Sequence, residues 1–158
     1  MGNIFSASEI VELGIRIEKN GRDFYTAVAR QSASDEVRNI FQYLAGEEAK
    51  HITIFQKILE KTQRYEPDQV YADEYLAYMN ALASEHIFTQ ENKGTEVAQK
   101  VKDNLEAVNL GIGFEKDSII FYEGLRTVVP HYDRQIIAEL IQHEQNHLKQ
   151  LVELKKNL

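Results

Sequence analysis

Two separate parts of the sequence repeat one spacing of glutamate, tyrosine and histidine residues. In each part a glutamate is followed seven residues later by a tyrosine, and a second glutamate about 30 residues after the first begins a Glu-x-x-His motif. The repeated residues are Glu18, Tyr25, Glu48 and His51 in the first part, and Glu115, Tyr122, Glu144 and His147 in the second. A repeat of this kind is typical of a duplicated helix pair. It restricts the fold to one in which two similar helix pairs pack together.

Apolar residues recur at intervals of three and four in four stretches, which is the pattern of amphipathic helices. A capping box of Ser6 and Glu9 begins the first helix. The third helix ends before Val129-Pro130, because the residue that precedes a proline disfavours the helical conformation. The four predicted helices span about residues 8–30, 35–61, 95–128 and 137–154.

The segment between residues 62 and 94 lacks a sustained apolar pattern. Pro67 interrupts it, a short helix is predicted around Gln69–Ala83, and Asn92–Gly94 closes it with turn-forming residues. The connections follow the order short loop, long connection, short loop. This order is typical of an antiparallel bundle with one crossover. We therefore predict an all-α, antiparallel four-helix bundle whose long crossover contains a short helix, formed as a single domain by residues 1–158.

The glutamate and the histidine of each Glu-x-x-His motif lie on the apolar face of their helix. In the second predicted helix, Glu48 and His51 continue a stripe of apolar residues at helical spacing. The motif of the fourth helix continues its own stripe in the same way, and so do Glu115 and Tyr122 in the third. The pattern around Glu18 is less regular. These polar side chains are predicted to point into the bundle.

Antiparallel pairing also predicts the height of each glutamate. Glu18 and Glu48 are equally far from residue 33, and Glu115 and Glu144 are equally far from the junction of residues 129 and 130. Both midpoints coincide with predicted turns. All four carboxylates are therefore expected at one level, near the middle of helices about 30–40 Å long.

Four buried carboxylates at one level require positive charge, because each unpaired one costs several kcal/mol and they repel one another. No lysine or arginine falls on the predicted inner faces near that level. Two divalent or trivalent metal ions supply the missing charge, and each histidine adds a nitrogen ligand. One glutamate from each of two helices and a Glu-x-x-His pair from each of the other two form the di-iron carboxylate arrangement of a four-helix bundle. Manganese and zinc accept the same ligands, so the sequence leaves the loaded metal open.

Composition excludes several other classes of function. The formal net charge is −7, which does not suit binding to nucleic acid or to an anionic membrane surface. The chain contains no cysteine, which excludes disulfides, iron–sulfur clusters and Cys-ligated zinc. No apolar run is long enough for a membrane span, and the first residues lack the pattern of a secretory signal. We expect a cytoplasmic protein.

The sequence resembles the rubrerythrin branch of the ferritin-like di-iron proteins. The resemblance covers the four long helices and not the crossover. It rests on the segments RIEKNGRDFY (residues 16–25), GEEAKHITIF (46–55), GFEKDSIIFYEGL (113–125) and HEQNHLKQL (143–151).

The resemblance implies a role for each candidate residue. By this resemblance Glu18 and Glu115 would be terminal metal ligands, and the glutamates of the two Glu-x-x-His motifs would bridge the two irons. Each of the two histidines would supply one nitrogen ligand to one iron. The resemblance also places Tyr25 and Tyr122 beside the site. The four glutamates and these two tyrosines are the candidate catalytic residues. The alternative for the tyrosines is a structural one, since buried hydroxyls need a hydrogen-bond partner.

Two features depart from the family pattern. Full rubrerythrins carry a Cys-ligated rubredoxin domain, whereas this chain has no cysteine. They also carry an additional glutamate one turn after the third-helix ligand, where this chain has Ser118. Electrons must therefore come from a separate donor, and a change of ligand between redox states is not expected.

By resemblance, the chain is a di-iron oxidoreductase that reduces hydrogen peroxide or dioxygen in oxidative-stress defence. Two iron ions would be its cofactors and an external protein such as a rubredoxin its electron donor, and the chain would form a homodimer. Two alternatives stay open: a ferroxidase that oxidises iron for storage, and a metal-binding or electron-transfer bundle without turnover.

Other histidines offer a weaker signal. His143, Glu144 and His147 match the HExxH motif of zinc proteases, but the glycine and third ligand expected beyond the second histidine are missing. On the bundle interpretation His143 lies off the inner face. His86 and His131 lie in or beside connections and are predicted to be surface residues, and Glu47 is predicted to be solvated.

Overall fold

The computed structural model describes residues 6–65, 71–129 and 131–158, and every regular element in this part of the chain is helical. The predicted all-α fold is confirmed. Two 3-10 turns, Ile87–Thr89 and His131–Asp133, accompany the α-helices. The α-helices are α1 (Ala7–Gln31), α2 (Asp35–Tyr65), α3 (Asp73–Glu85), α4 (Lys93–Gln99), α5 (Asn104–Leu125) and α6 (Arg134–Lys155).

Helices α1 and α2 form one antiparallel pair, and α5 and α6 form the other. The two helices of the first pair are joined by residues 32–34, so the turn lies where the positions of the glutamates predicted it. Aromatic side chains fill the interior on both sides of the glutamate level; among the fully buried ones are Phe24, Phe41, Phe55, Phe121 and Phe88. Burial of this apolar surface stabilises the pairing of the two halves.

A side-chain cap begins α1 where the sequence predicts it, and a second cap begins α2. The Ser6 hydroxyl accepts a hydrogen bond from the backbone N–H of Glu9 at 3.2 Å. The Ser34 hydroxyl accepts one from Val37 at 3.3 Å. Each cap satisfies a backbone N–H that has no partner within the helix.

The third long helix is shorter than predicted. The expected continuous helix from Thr95 is two helices, α4 and α5, separated at residues 100–103. The Asp103 carboxylate accepts a hydrogen bond from the N–H of Glu106 at 2.8 Å and so starts α5 afresh. The cap and the glutamate three residues later form a start signal that the apolar periodicity concealed.

The crossover from α2 to α5 contains the predicted short helix, observed as α3. The crossover then continues through the first 3-10 turn and α4. Pro67 and Gln69, which the sequence assigned to its beginning, lie outside the described residues. No helix in the described part of the chain is long and apolar enough to cross a membrane.

The side chain of Asn20 in α1 holds the crossover against the bundle. Its amide nitrogen donates to the carbonyls of Phe88 and Gln90 at 2.7 and 2.6 Å. Its oxygen accepts from the N–H groups of Lys93 and Gly94 at 2.9 and 3.0 Å. The backbones approach so closely here that a Cβ atom on Gly94 would collide with the carbonyl oxygen of Asn20. One buried amide thus ties two turns of the crossover to the helix that carries Glu18.

Candidate metal centre

Four glutamates from four helices meet in the interior of the bundle. Glu18 of α1, Glu48 of α2, Glu115 of α5 and Glu144 of α6 are each 0% exposed. They lie at one level, as the antiparallel register predicts. Two groups of candidate ligands share two of these glutamates: one is Glu18, Glu48, His51 and Glu144, and the other is Glu48, Glu115, Glu144 and His147.

The first group is arranged around Nδ1 of His51. This nitrogen lies 3.0 Å from Oε1 of Glu144, 3.4 Å from Oε2 of Glu18 and 3.6 Å from Oε2 of Glu48. One nitrogen and three carboxylate oxygens therefore converge on a single point, as the ligands of one metal ion do.

The second group is arranged around Nδ1 of His147. This nitrogen lies 3.1 Å from Oε2 of Glu144, 3.3 Å from Oε1 of Glu48 and 3.5 Å from Oε1 of Glu115. Glu48 and Glu144 thus direct one oxygen to each group, which is the geometry of a carboxylate that bridges two metal ions. Glu18 and Glu115 each belong to one group only.

Two tyrosines form hydrogen bonds with the two glutamates that each belong to a single ligand group. The hydroxyl of Tyr25 in α1 donates to Oε1 of Glu115 in α5 at 2.6 Å. The hydroxyl of Tyr122 in α5 donates to Oε1 of Glu18 in α1. Both tyrosines are fully buried. The two halves of the chain therefore orient each other's glutamates in a reciprocal way.

Burial of these acids leaves many polar atoms without partners. Among the described residues, buried side-chain atoms without a hydrogen bond include both oxygens of Glu48, Oε2 of Glu18, Oε2 of Glu115, Oε1 of Glu144 and Nδ1 of His51. No lysine or arginine of the described chain forms an ion pair with the four carboxylates. Unpartnered oxygen and nitrogen atoms that converge from four helices fit a pair of metal ions.

Burial and crowding shift the pKa values of the four carboxylates. Burial raises the pKa of Glu48, and the charges of Glu18 and Glu115 raise it further. Burial and the charge of Glu144 likewise raise the pKa of Glu115. At Glu18 burial acts to raise the pKa, but the adjacent Glu48 carboxyl group and the charge of His51 outweigh this effect, so the pKa is lowered.

The histidines and tyrosines respond to the same negative charge. Burial would lower the pKa of His51 and His147, but the surrounding carboxylates raise it well above the ordinary histidine value. Burial and the adjacent carboxylates raise the pKa values of Tyr25 and Tyr122, so both phenols stay protonated and act as donors. Without metal the cluster retains protons that metal ions would replace.

Comparison with known proteins identifies the family. A family model described as Rubrerythrin matches residues 9–155. The chain belongs to the rubrerythrin family. A crystal structure from Thermotoga maritima, of a protein described as a ferritin-like diiron-carboxylate protein, superimposes with a TM-score of 0.75 at 26% sequence identity. The match covers 99% of this chain and 98% of that chain. None of the curated protein sequences compared with the chain matches it.

The structure of this rubrerythrin-family chain brings together the six residues predicted as metal ligands and the two tyrosines. That they bind metal stays a prediction, with strong geometric support. Glu47 is only partly buried and lies outside the cluster, in contact with Lys50 at 3.5 Å.

The zinc-protease interpretation of the HExxH segment receives no support from the structure. His143 is exposed, and its Nδ1 lies 3.2 Å from Nε2 of His51, on the side of that ring that faces away from the carboxylates. The rings of His143 and His51 are stacked, with centroids 5.3 Å apart. His143 and His147 therefore do not point to one ion, and within the described residues His143 packs against the candidate metal centre through His51.

The prediction for His86 is wrong, whereas His131 is exposed as expected. His86 is 3% exposed because the crossover folds its ring onto Phe114 and Phe88. Its Nε2 lies 3.3 Å from the hydroxyl of Ser118, which is itself 0% exposed. The pattern of the sequence did not predict this pair. The only signal was the neighbouring apolar Phe88, which favours a turn packed against the bundle.

Metal binding to this rubrerythrin-family chain is expected to release protons and to strengthen as the pH rises. Because most cluster groups have raised pKa values, the metal-free protein holds protons on them near pH 7, and a metal ion must displace those protons. Calorimetric titration with Fe²⁺ or Co²⁺ in two buffers of different ionisation enthalpy measures the release. Binding that liberates no protons and does not vary with pH would contradict this account.

Acid is expected to destabilise the protein partly through His86. Burial lowers the pKa of its imidazole from 6.5 to about 4, although the charge of Glu18 opposes this. The neutral ring therefore contributes stability above pH 6.5 that is lost as the pH falls toward 4. Between about pH 7 and pH 4.5 the free energy of unfolding should fall by about 2 to 3 kcal/mol more in the native chain than in His86→Gln. Urea unfolding at the two pH values measures the difference, and equal losses would show that His86 does not titrate in this way.

Proposed function

We propose that this rubrerythrin-family chain is a di-iron oxidoreductase that reduces hydrogen peroxide or dioxygen in defence against oxidative stress. The observation that carries the proposal is the sharing of Glu48 and Glu144 between two ligand groups, each completed by its own histidine and glutamate. Such a centre is suited to two-electron chemistry on a small molecule, because both metal positions share their carboxylates.

When bound, two iron ions would each supply one electron to the substrate. The two ligand groups would hold the ions, and the buried interior around them would limit access of water. The four carboxylates would offset most of the positive charge of the two ions. Tyr25 and Tyr122 donate hydrogen bonds to Glu115 and Glu18 and so fix the orientation of these two ligands. Full burial of the glutamates keeps the site inaccessible to large substrates.

The remaining participants are part of the same proposal. Reduction of hydrogen peroxide to two water molecules consumes two electrons and two protons. The 158 residues contain no cysteine with which to bind a rubredoxin-type iron. We therefore assign the electrons to an external donor such as a rubredoxin. We also propose a cytoplasmic location and a homodimer, and we propose iron, rather than manganese or zinc, as the functional metal.

Metal analysis followed by rapid mixing tests the proposal. Protein purified without added metal is expected to contain about two iron ions per chain. After anaerobic reduction, stopped-flow absorbance with hydrogen peroxide or with dioxygen should show oxidation of the iron, and the faster oxidant identifies the substrate. An external reductant should then restore the ferrous state over repeated cycles.

Other outcomes would favour the alternative functions. Retention of many more than two irons per chain after repeated oxidation, in an assembly much larger than a dimer, would favour a storage ferroxidase. An iron spectrum that neither oxidant changes would favour a metal-binding bundle without turnover. The double variant Glu48→Gln/Glu144→Gln is the negative control.

A further inference from the structure

A buried histidine and serine lie beside the candidate metal centre without belonging to either ligand group. His86 comes from the crossover, and Ser118 is one turn after Glu115 in α5. Both side chains are buried, and Nε2 of His86 lies 3.3 Å from Oγ of Ser118. A buried polar pair in an apolar interior is costly unless its hydrogen bonds are complete.

The hydrogen bonds of His86 determine which atom donates. Nδ1 of the ring accepts from the backbone N–H of Phe88 at 3.2 Å, so this nitrogen carries no proton. Burial lowers the pKa of the ring to about 4, which keeps it neutral near pH 7. The single ring proton is therefore on Nε2, and Nε2 donates to the hydroxyl oxygen of Ser118.

This direction leaves the proton of the Ser118 hydroxyl without an acceptor. Within the described part of the chain, the hydroxyl forms no other hydrogen bond, and it is fully buried. Serine in a helix often donates to the carbonyl one turn earlier, but that bond is absent here. An unused buried donor of this kind requires a partner that the chain does not provide.

The position of Ser118 indicates where that partner lies. On α5, Glu115 is one turn before Ser118 and Tyr122 is one turn after it, so all three share the inner face. Tyr122 donates to Glu18. The charge of Glu18 also acts on His86 across the same space. The free donor therefore lies on the Glu18 side of the centre.

The two halves of the chain differ at this point. The residue one turn after Glu18 is Gly21, and a Cβ atom there would lie 2.5 Å from the ring of Phe114. An aromatic ring thus fills the position in one half, whereas a hydrogen-bonded serine fills it in the other. Among the described residues, the two halves of the site therefore differ in that one carries a serine donor at this position and the other does not.

We propose that Ser118, oriented by His86, donates a hydrogen bond to a small anionic or oxygen-containing molecule that binds at the metal centre on the Glu18 side. The inference rests on the proposed di-iron function. Ser118 is a binding residue for that molecule, and His86 is a positioning residue that acts through Ser118. The neutral pair adds a donor without adding a fifth negative charge to the four glutamates.

Azide binding to the ferric, iron-loaded protein tests this assignment. Azide is a small anion whose binding to ferric iron is followed by its charge-transfer absorption. Because a hydrogen bond to a charged group is the stronger kind, Ser118→Ala is expected to weaken azide binding by about tenfold to a hundredfold. The exposed residue change Ser84→Ala is the matched control and should leave the dissociation constant unchanged.

Two substitutions of His86 test the roles of its two ring nitrogens separately. Glutamine places an amide N–H near the position of Nε2, and His86→Gln should keep azide affinity within about threefold of the native chain. Asparagine can accept from Phe88 in place of Nδ1 but does not reach Ser118, so His86→Asn should weaken azide binding nearly as much as Ser118→Ala. Equal affinities in the two His86 variants would overturn the positioning role.

Iron content, measured first, distinguishes the failure of this inference from the failure of the proposed function. A native chain that does not retain about two irons contradicts the proposed function. Chains that retain iron but whose azide affinity is unchanged by Ser118→Ala overturn the donor role alone. A ferric native protein that does not bind azide also overturns it.

Discussion

Replacing Glu48 and Glu144 together by glutamine is expected to reduce the metal content from about two ions per chain to nearly none. Each of these carboxylates directs one oxygen to His51 and the other to His147, so the double change removes ligands from both positions at once. A glutamine has nearly the same shape but no negative charge, and the two remaining glutamates cannot neutralise two divalent ions. Metal analysis of protein purified from the same medium measures the loss.

The same variant is expected to be more stable than the native chain when both are free of metal. In the metal-free native chain the two charged histidines balance only two of the four carboxylates, and the other two must either repel their neighbours or take up protons at a cost near pH 7. Removing these two acids should therefore raise the free energy of unfolding by about 1–3 kcal/mol. Urea unfolding in the presence of a chelator measures this gain, which also shows that metal loss does not result from misfolding. Glu47→Gln is the matched control, since Glu47 is adjacent in sequence but outside the cluster. Full iron content in the double variant would refute the metal centre.

Replacing Asn20 by alanine is expected to lower the free energy of unfolding by about 3 kcal/mol or more. The change leaves two carbonyls and two N–H groups of the crossover without the partner that now satisfies them. For a chain of this length the melting temperature should fall by about 10 °C. Thermal unfolding of the metal-free protein, followed by circular dichroism, measures the effect.

The control for this experiment is Asn109→Ala. Asn109 is exposed on α5, so its loss should change stability by less than about 0.5 kcal/mol. Limited proteolysis adds a local measurement, because cleavage of the Asn20→Ala variant should begin within the crossover. An Asn20→Ala protein as stable as Asn109→Ala would show that the crossover docks through its apolar contacts alone.

The bundle and the convergence of the candidate ligands could be predicted because both depend on periodicity. Helical spacing determines which residues share a face, and antiparallel pairing relates the height of Glu18 to that of Glu48 through the position of their turn. The number of buried acids and the absence of basic residues nearby then predict bound metal. The duplicated pattern strengthened each step, since two independent helix pairs gave the same result.

The crossover could not be predicted at the same level of detail, because its structure depends on contacts between residues distant in the sequence. Asn20 forms hydrogen bonds with backbone groups about 70 residues away, and no local pattern distinguishes it from a surface asparagine. The burial of His86 depends on where Phe114 lies after folding. The start of α5 was different: Asp103 and Glu106 carried a local signal, but an apparently continuous apolar stripe obscured it.

The complete burial of the four glutamates has a kinetic consequence. An ion held by these fully buried side chains would leave mainly when neighbouring helices separate transiently. Retention is then governed by how often the bundle opens as well as by the equilibrium affinity of the ligands. Brief exposure to a chelator would remove little metal from the folded chain, whereas conditions that loosen the helices would release both ions together.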